Sequence, residues 1–591
     1  MKKNRILATV LSACTLFSVM GMAACGGGAG TGNSGTGNSG GGVENVYNVP
    51  SDSKITIKIK NFGMGPGNEW LEETMERFAK ENQNTKYGDK TGVYLKYEAN
   101  HNQNTSAMAN DSTNIFFDER ASDPYALAQG NLLLNLDSIV KDDTREGGSL
   151  ESKIFDAAKG GIMGNDGSYY ALPHYEFFPG LAYNRTTFAS LNAYFAAEDE
   201  DNVYTYASTK YGSANFVNDA TAKKSVGPDG KSGTEDDGLP CSLEEFIILC
   251  DYIKVESGDD VAPVSVSGKY YNYYPEYLVM GLWSSIAGPT QMRNYYNCTG
   301  EIEVVKRDAS GNLQYTNENL FTGIDYVKKP VVETVTMAAD GSDGWMGNDM
   351  SAKYYAYAIL DILTTEGFFS ATAKSNNDHW QTQMDLYMEG KADTNNSAML
   401  VEGSYWYNES NENGGFDAYE RYVGGDRNQL DVAWMSLPTS VKTEGAVGRD
   451  ACFLDVGLAY TMINKNVEAD PALKQACLDF VEFCYTEQEL RNFTSKTGIT
   501  RAISYNMSDA EVANMSKYAQ RLWKERDNKN GSNIVAWSGT TDVFKLAKSR
   551  LKIDLNSGVF GNGTTKVSAM IKDGSVKDAF AACSLYGNWE Y

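Results

Sequence analysis

The chain has 591 residues, 77 of them Asp or Glu against 52 Lys or Arg, and a formal net charge of −25. Hydrophobic residues make up 42% and charged residues 22%, the profile of a globular protein too long for one ordinary domain, not of a disordered or fibrous one. The acidity argues against a nucleic-acid partner and against docking on anionic lipid through a basic patch. The three histidines, His101, His174 and His379, lie too far apart in sequence to suggest a histidine-rich metal centre.

Lys2, Lys3 and Arg5 precede the apolar stretch Ile6 to Met20, and Met22-Ala23-Ala24 leads into Cys25. This is the layout of a secretory signal over residues 1–24. The cysteine directly after the small residues resembles a bacterial lipobox, in which Cys25 is acylated and becomes the new N-terminus; Met22 stands where leucine is usual. A plain signal peptide followed by a chance cysteine is the alternative. Residues 25–50 then hold a Gly/Ser/Thr/Asn coil with a reach of a few tens of ångströms. No later stretch approaches the ~20 apolar residues that span a bilayer. The expected location is therefore the outer face of the cell membrane, tethered and not embedded. Of nine cysteines, Cys14 leaves with the signal and Cys25 carries lipid, which leaves an odd number. Cys477 and Cys484, seven apart beside Phe480 and Val481, read as small buried hydrophobes.

The folded region begins near Ser53. Ile55, Ile57 and Ile59 alternate with polar residues and predict a strand. The turn-rich Phe62 to Gly67 follows, then a helix over Glu69 to Glu81 with Leu71, Met75 and Phe78 at helical spacing. Val93 to Tyr97 alternates again, and Ile115-Phe116-Phe117 is a short buried strand, giving α/β organisation. Ser242 and Glu245 have capping-box spacing ahead of Leu243, Phe246, Ile247 and Cys250. Asp470-Pro471 places an acceptor at an N-cap and proline at the first helical position.

The order of these segments resembles the extracellular solute-binding proteins of bacterial ABC importers, in their large sugar-binding group. The similarity runs through Asn114 to Phe117, Gly130-Asn131-Leu132 to Leu136, and Gly167 to Pro173 with Tyr183-Asn184-Arg185. It continues through Leu239 to Phe246, Gly390-Lys391-Ala392 with Ala398-Met399-Leu400 and Gly403 to Trp406, and ends at Thr497 to Arg501. Leu243 replaces the family's tryptophan and Arg501 its proline. The resemblance implies an α/β fold of periplasmic-binding-protein type, two hinged lobes with a central ligand cleft. Crossings near Pro173–Tyr175, Cys452 and Arg501 would assign residues 51–174 and 452–503 to lobe one, and 175–451 and 504–591 to lobe two. Insertions at about 190–238 and 295–349 have no counterpart. The implied function is a lipid-anchored monomeric receptor that binds a carbohydrate, expected to be an oligosaccharide. It would deliver this to two permease subunits, with no catalysis and no required cofactor.

Tyrosine and tryptophan pair a flat apolar face with a polar edge, as a pyranose does, and carboxylates, amides and arginine can bond its hydroxyls. The candidate ligand contacts are Trp70, Asp118, Arg120, Tyr175 and Glu176, then Trp283, Tyr405, Trp406, Arg449 and Asp450. Of these Trp406 is favoured, with core packing as the alternative. Tyr270 to Tyr274 reads equally as cleft wall or packed aromatics. The loop Gly227 to Gly238 carries Asp229, Glu235 and Asp236, which could hold a structural calcium, although Lys231 and Gly233 stand where an EF-hand needs ligands; a solvated loop is the alternative. A glycoside hydrolase remains open because carboxylate pairs abound in so acidic a chain. A surface adhesin, also exported and tethered, would more naturally show β-sandwich spacing.

Overall fold

The computed structural model describes residues 45–99, 108–119, 124–145, 147–268, 274–374, 396–412, 415–449, 451–456, 459–536 and 574–582. The signal sequence, Cys25, Tyr270 to Tyr273 and Gly390-Lys391-Ala392 lie outside these residues.

Strand β1 (Ile55–Asn61) buries Ile55, Ile57 and Ile59 and turns Thr56, Lys58 and Lys60 the other way, as period-two alternation dictates. Helix α1 (Glu69–Glu81) follows and presses Trp70, Leu71, Met75 and Phe78 inward. Strands β2 (Val93–Ala99) and β3 (Ile115–Glu119) come next; β3 is buried along its whole length because it lies inside its sheet. After α2 (Asp156–Ile162), the short β4 (Leu172–Pro173) is the last strand before the chain leaves for a second sheet. That sheet starts with β5 (Pro179–Asn184).

The hairpin β6 (Val203–Ser208) and β7 (Gly212–Val217) belongs to the first insertion. Helix α3 (Leu243–Glu256) is capped by Ser242, whose side chain accepts from the Glu245 N–H. The Glu245 carboxylate reaches back to the Cys241 N–H at 2.6 Å, one residue further than a capping box requires. Strand β8 (Val261–Ser265) precedes α4 (Tyr274–Asn297), which is buried through most of its first half and broken at Gly288 (φ 74°) ahead of Pro289. The second insertion holds the antiparallel pair β9 (Gly300–Val305) and β10 (Val332–Met337). Helix α5 (Ser351–Thr365) packs along α4.

Strand β11 (Asn396–Gly403) leads into α6 (Trp406–Glu412), and β12 (Val432–Trp434) completes the second sheet. The return passes through β13 (Phe453–Asp455) to β14 (Ala459–Ile463) in the first sheet. Helix α7 (Pro471–Cys484) is capped by Asp470, which accepts from the Ala472 and Leu473 N–H groups. Helix α8 (Glu487–Thr497) ends at left-handed Gly498. Helix α9 (Lys517–Glu525) then packs on β12, and β15 (Ile534–Ala536) pairs in parallel with β13.

The two main sheets have the orders β2-β1-β3-β14-β4 and β8-β11-β5-β12. In the first, β1 runs parallel to β2 and β3, while β14 is antiparallel to β3 and β4. In the second, β8 and β11 are parallel, and β5 is antiparallel to β11 and β12. The chain thus passes between sheets after Pro173 and again between Trp434 and Ala459. Beyond α8 it passes a third time, through Arg501, towards α9. Six cysteines among the described residues, Cys477 and Cys484 included, are buried and free.

Candidate functional site

The first crossing is held residue by residue. The His174 N–H donates to the Ala459 carbonyl at 2.9 Å, Glu176 to Thr500 at 2.9 Å, and Phe177 to the Asp455 carboxylate at 3.0 Å. Phe178 and Ser404 exchange backbone and hydroxyl bonds at 2.9 and 3.0 Å. Glu176 accepts from the Thr500 hydroxyl at 2.5 Å and from Arg526 Nε at 2.7 Å, an ion pair with no solvent exposure on either side chain. It ties the first crossing to the segment after α9.

Arg501 is equally buried. It donates to the Cys484 carbonyl at 2.9 Å and lies 4.1 Å from the Phe493 ring centroid. His174 packs among Trp70, Phe117 and Tyr175 at tilted and edge-on angles, and burial followed by the Arg501 charge holds it well below its ordinary pKa.

At the carboxyl ends of β3 and β11 and the start of α4, acidic and phenolic side chains gather from both sheets. Asp118 and Glu119 close β3, and the Tyr175 hydroxyl donates to Glu119. Glu402 closes β11, Tyr405 and Glu409 follow on the turn and α6, and Tyr274, Glu276 and Tyr277 open α4; all are buried. The Glu409 carboxyl is raised well above its ordinary range, by desolvation first and then by the Glu402 and Glu119 charges. Tyr405 and Tyr274 are pushed up by the same burial, with Tyr274 and Glu402 adding to it at Tyr405, and Glu402 and Tyr277 adding to it at Tyr274.

Charges this close in a dry site keep part of the set protonated. The cluster can then donate as well as accept, and the rings offer apolar faces. Across it, Asn408 donates to the Gly65 carbonyl at 2.6 Å. Gly65 sits at φ 76°, with Tyr405 so close that an added Cβ would stand 3.3 Å from the tyrosine's own. The first unit's turn therefore touches the second unit's helix α6.

The predicted contacts divide accordingly. Tyr175 and Tyr405 join this cluster and Asp118 is buried at the end of the same strand as Glu119, while Glu176 pairs with Arg526 through one carboxylate oxygen and keeps the other buried without a hydrogen-bond partner. The three tryptophans lie in packed interiors. Trp406, at the start of α6, has 0% exposure and packs its ring against Phe416, Tyr407 and Tyr518. Trp283 packs against Tyr295, and Trp70 meets Phe117 and Phe493 edge-on. Arg120 and Asp450 lie outside the described residues. Sequence reasoning missed Glu119, Glu276, Glu402 and Glu409, although Glu402 and Glu409 flank a segment already singled out.

Arg449 belongs elsewhere. It lines a cavity of about 930 Å³ bordered by β12, the break in α4, α9, β13 and the acidic loop. Asp229, Glu235 and Asp236 line it too, but each has protein partners. Glu235 pairs with Arg185 at 2.5 Å, Asp236 accepts from the Asp229 N–H and the Thr234 hydroxyl, and Asp229 accepts from the Lys231 N–H. No group of three or more His, Cys, Asp or Glu side chains among the described residues is placed to hold a metal ion.

No protein-family model matches the sequence, and no curated protein sequence does. Solved structures match over nearly its whole length. A chitin oligosaccharide binding protein superposes with a TM-score of 0.50 at 12% identity, over 90% of this chain and 98% of that one. A binding protein of an ABC transporter from Bifidobacterium animalis subsp. lactis, in complex with mannobiose, gives 0.50 at 15% identity, over 90% of this chain and 94% of its own. The fold is the two-lobed solute-binding-protein fold. At these identities the likeness is one of fold. In solute-binding-protein terms the first sheet centres one lobe, the second sheet the other, and the acidic–phenolic cluster lies where the strand ends of the two lobes face each other.

Proposed function

We propose that this chain is the carbohydrate receptor of an ABC importer, held by lipid on Cys25 at the outer face of the cell membrane and free of catalysis. The observation that carries this reading is the convergence of Glu119 and Tyr175 with Tyr274, Glu402, Tyr405 and Glu409 at the strand ends of both lobes. Carboxylates and phenols on opposite lobes can bond the hydroxyl rim of one sugar, and the rings cover its C–H faces. A ligand bound by both lobes favours the closed arrangement, which two permease subunits would then recognise.

The test is a thermal-shift screen of the protein without its leader against mono- and oligosaccharides. A saccharide at a hundred times its Kd should add about 2.7 kcal/mol of stability. No saccharide response would sink the receptor reading. Steady release of reducing ends from a glycoside would instead favour a glycoside hydrolase, and binding to host matrix alone an adhesin.

A further inference from the structure

Glu409 is only 6% exposed, and its carboxyl has neither an ion pair nor a hydrogen bond among the described residues. The charges that act on it are those of Glu402 and Glu119, both acidic. It acts in turn on Tyr274 and Tyr405, which places these three side chains together. The Tyr405 hydroxyl lies beside Tyr274 and is buried without a hydrogen bond of its own. Native interiors rarely leave buried polar groups without partners. A buried carboxyl whose charged neighbours are all acids is a place for a cation, because only a positive charge relieves both its desolvation and the repulsion.

Two features separate the possible cations. The described carboxylates form no group of three placed to hold a metal ion, so a bare divalent ion lacks the ligands it needs. The neighbours of these acids are instead aromatic rings. Phe177 meets Tyr405 at 4.8 Å and 70°, and Tyr277 at 5.3 Å and 88°, while Tyr274 and Tyr277 lie 5.1 Å apart. Rings set steeply to one another beside a carboxylate suit an organic ammonium, which is attracted by ring faces and acid alike. A neutral hydroxyl in the same place would bond one carboxyl and leave the repulsion among the acids as it was.

We propose that the ligand of this cleft carries a protonated amine, seated against Glu409 and the rings of Tyr274 and Tyr405. Resting on the receptor reading, this makes the ligand an amino sugar whose nitrogen is not acetylated. Titration calorimetry of the mature protein at about pH 6, where such an amine is charged, tests it. The probes are sets that differ only at C2, as hydroxyl, acetamide or amine: the glucose set, the galactose set and the β-1,4 disaccharides of the glucose set. In at least one set the amine should bind about tenfold or more tighter than its two relatives, the gain of one charge-assisted hydrogen bond. Glu409→Gln, which keeps the shape and removes the charge, should cut that advantage to about threefold or less. Should the variant not fold, the order of the three C2 groups on the unaltered protein decides alone. An amine no tighter than its relatives in every set, or an advantage that survives Glu409→Gln, would overturn the proposal. Neutral saccharides that bind without that preference would leave the receptor reading standing. Ethanolamine or spermidine bound in a Glu409-dependent way, with no saccharide bound, would overturn the receptor reading and leave the amine assignment. Binding of none of these would overturn both.

Discussion

Burial and the nearby Glu402 and Glu119 charges favour the protonated form of Glu409. Its folded pKa is raised above the ordinary 4.5, so the folded state binds more protons than the unfolded chain as pH rises through that window. The stability is fully present below 4.5 and is lost as pH climbs through the folded value. The ligand-free protein should therefore lose melting temperature over that range, and Glu409→Gln should flatten the loss; parallel profiles for the two proteins would refute the assignment. Glu176 and Arg526 behave differently, since each neutralises the other with no exposure. Removing one partner strands a buried charge, and Arg526→Met should cost about 3–5 kcal/mol in urea unfolding. A cost under about 1 kcal/mol would place the pair in contact with water.

At the scale of elements, α6 brings unlike side chains close together. Trp406 packs with Phe416 and Tyr518, and Glu409, three positions on and so its neighbour on the helix surface, feels the charges of Glu402 and Glu119. Trp406→Ala should lower stability by about 3–5 kcal/mol and leave sugar affinity in the folded fraction nearly unchanged. Lost affinity at unchanged melting temperature would put the ring back on the cleft wall. The loop Gly227 to Gly238 uses its carboxylates on Arg185, Thr234 and its own backbone. EDTA should accordingly leave the melting temperature unchanged; a drop restored by calcium and absent in Asp236→Asn would place an ion there.

Over the whole molecule, three crossings join two sheet-centred lobes, and buried polar links such as Glu176–Arg526 bind those crossings to one another. Motion between lobes must then pivot on segments whose hydrogen bonds are already made, which favours a hinge over free separation. No helix among the described residues is long and apolar enough to cross a membrane. Attachment in the proposed reading is through lipid on Cys25. Cys25→Ser should move the protein from the membrane fraction to the medium, and retention at the level of the unaltered protein would sink the lipid anchor.

Local pattern was enough to read α1, β1, β3, the Asp470 cap and the order of segments that resembles the two-lobed receptors. These depend on periodicity and capping chemistry, which act over a few residues. The role of each aromatic was not legible in the same way. Trp406, Trp283 and Trp70 carry the same surface chemistry as a sugar platform, and only packing from distant elements determines whether a ring meets protein or cleft. The acidic cluster was equally hidden, because Glu119 and Glu409 come together only when β3 and α6 face each other across the lobes. The sequence by itself determined the elements and their order. The tertiary structure alone decided which side chains share a buried, low-dielectric space, since that depends on contacts between segments far apart in the chain.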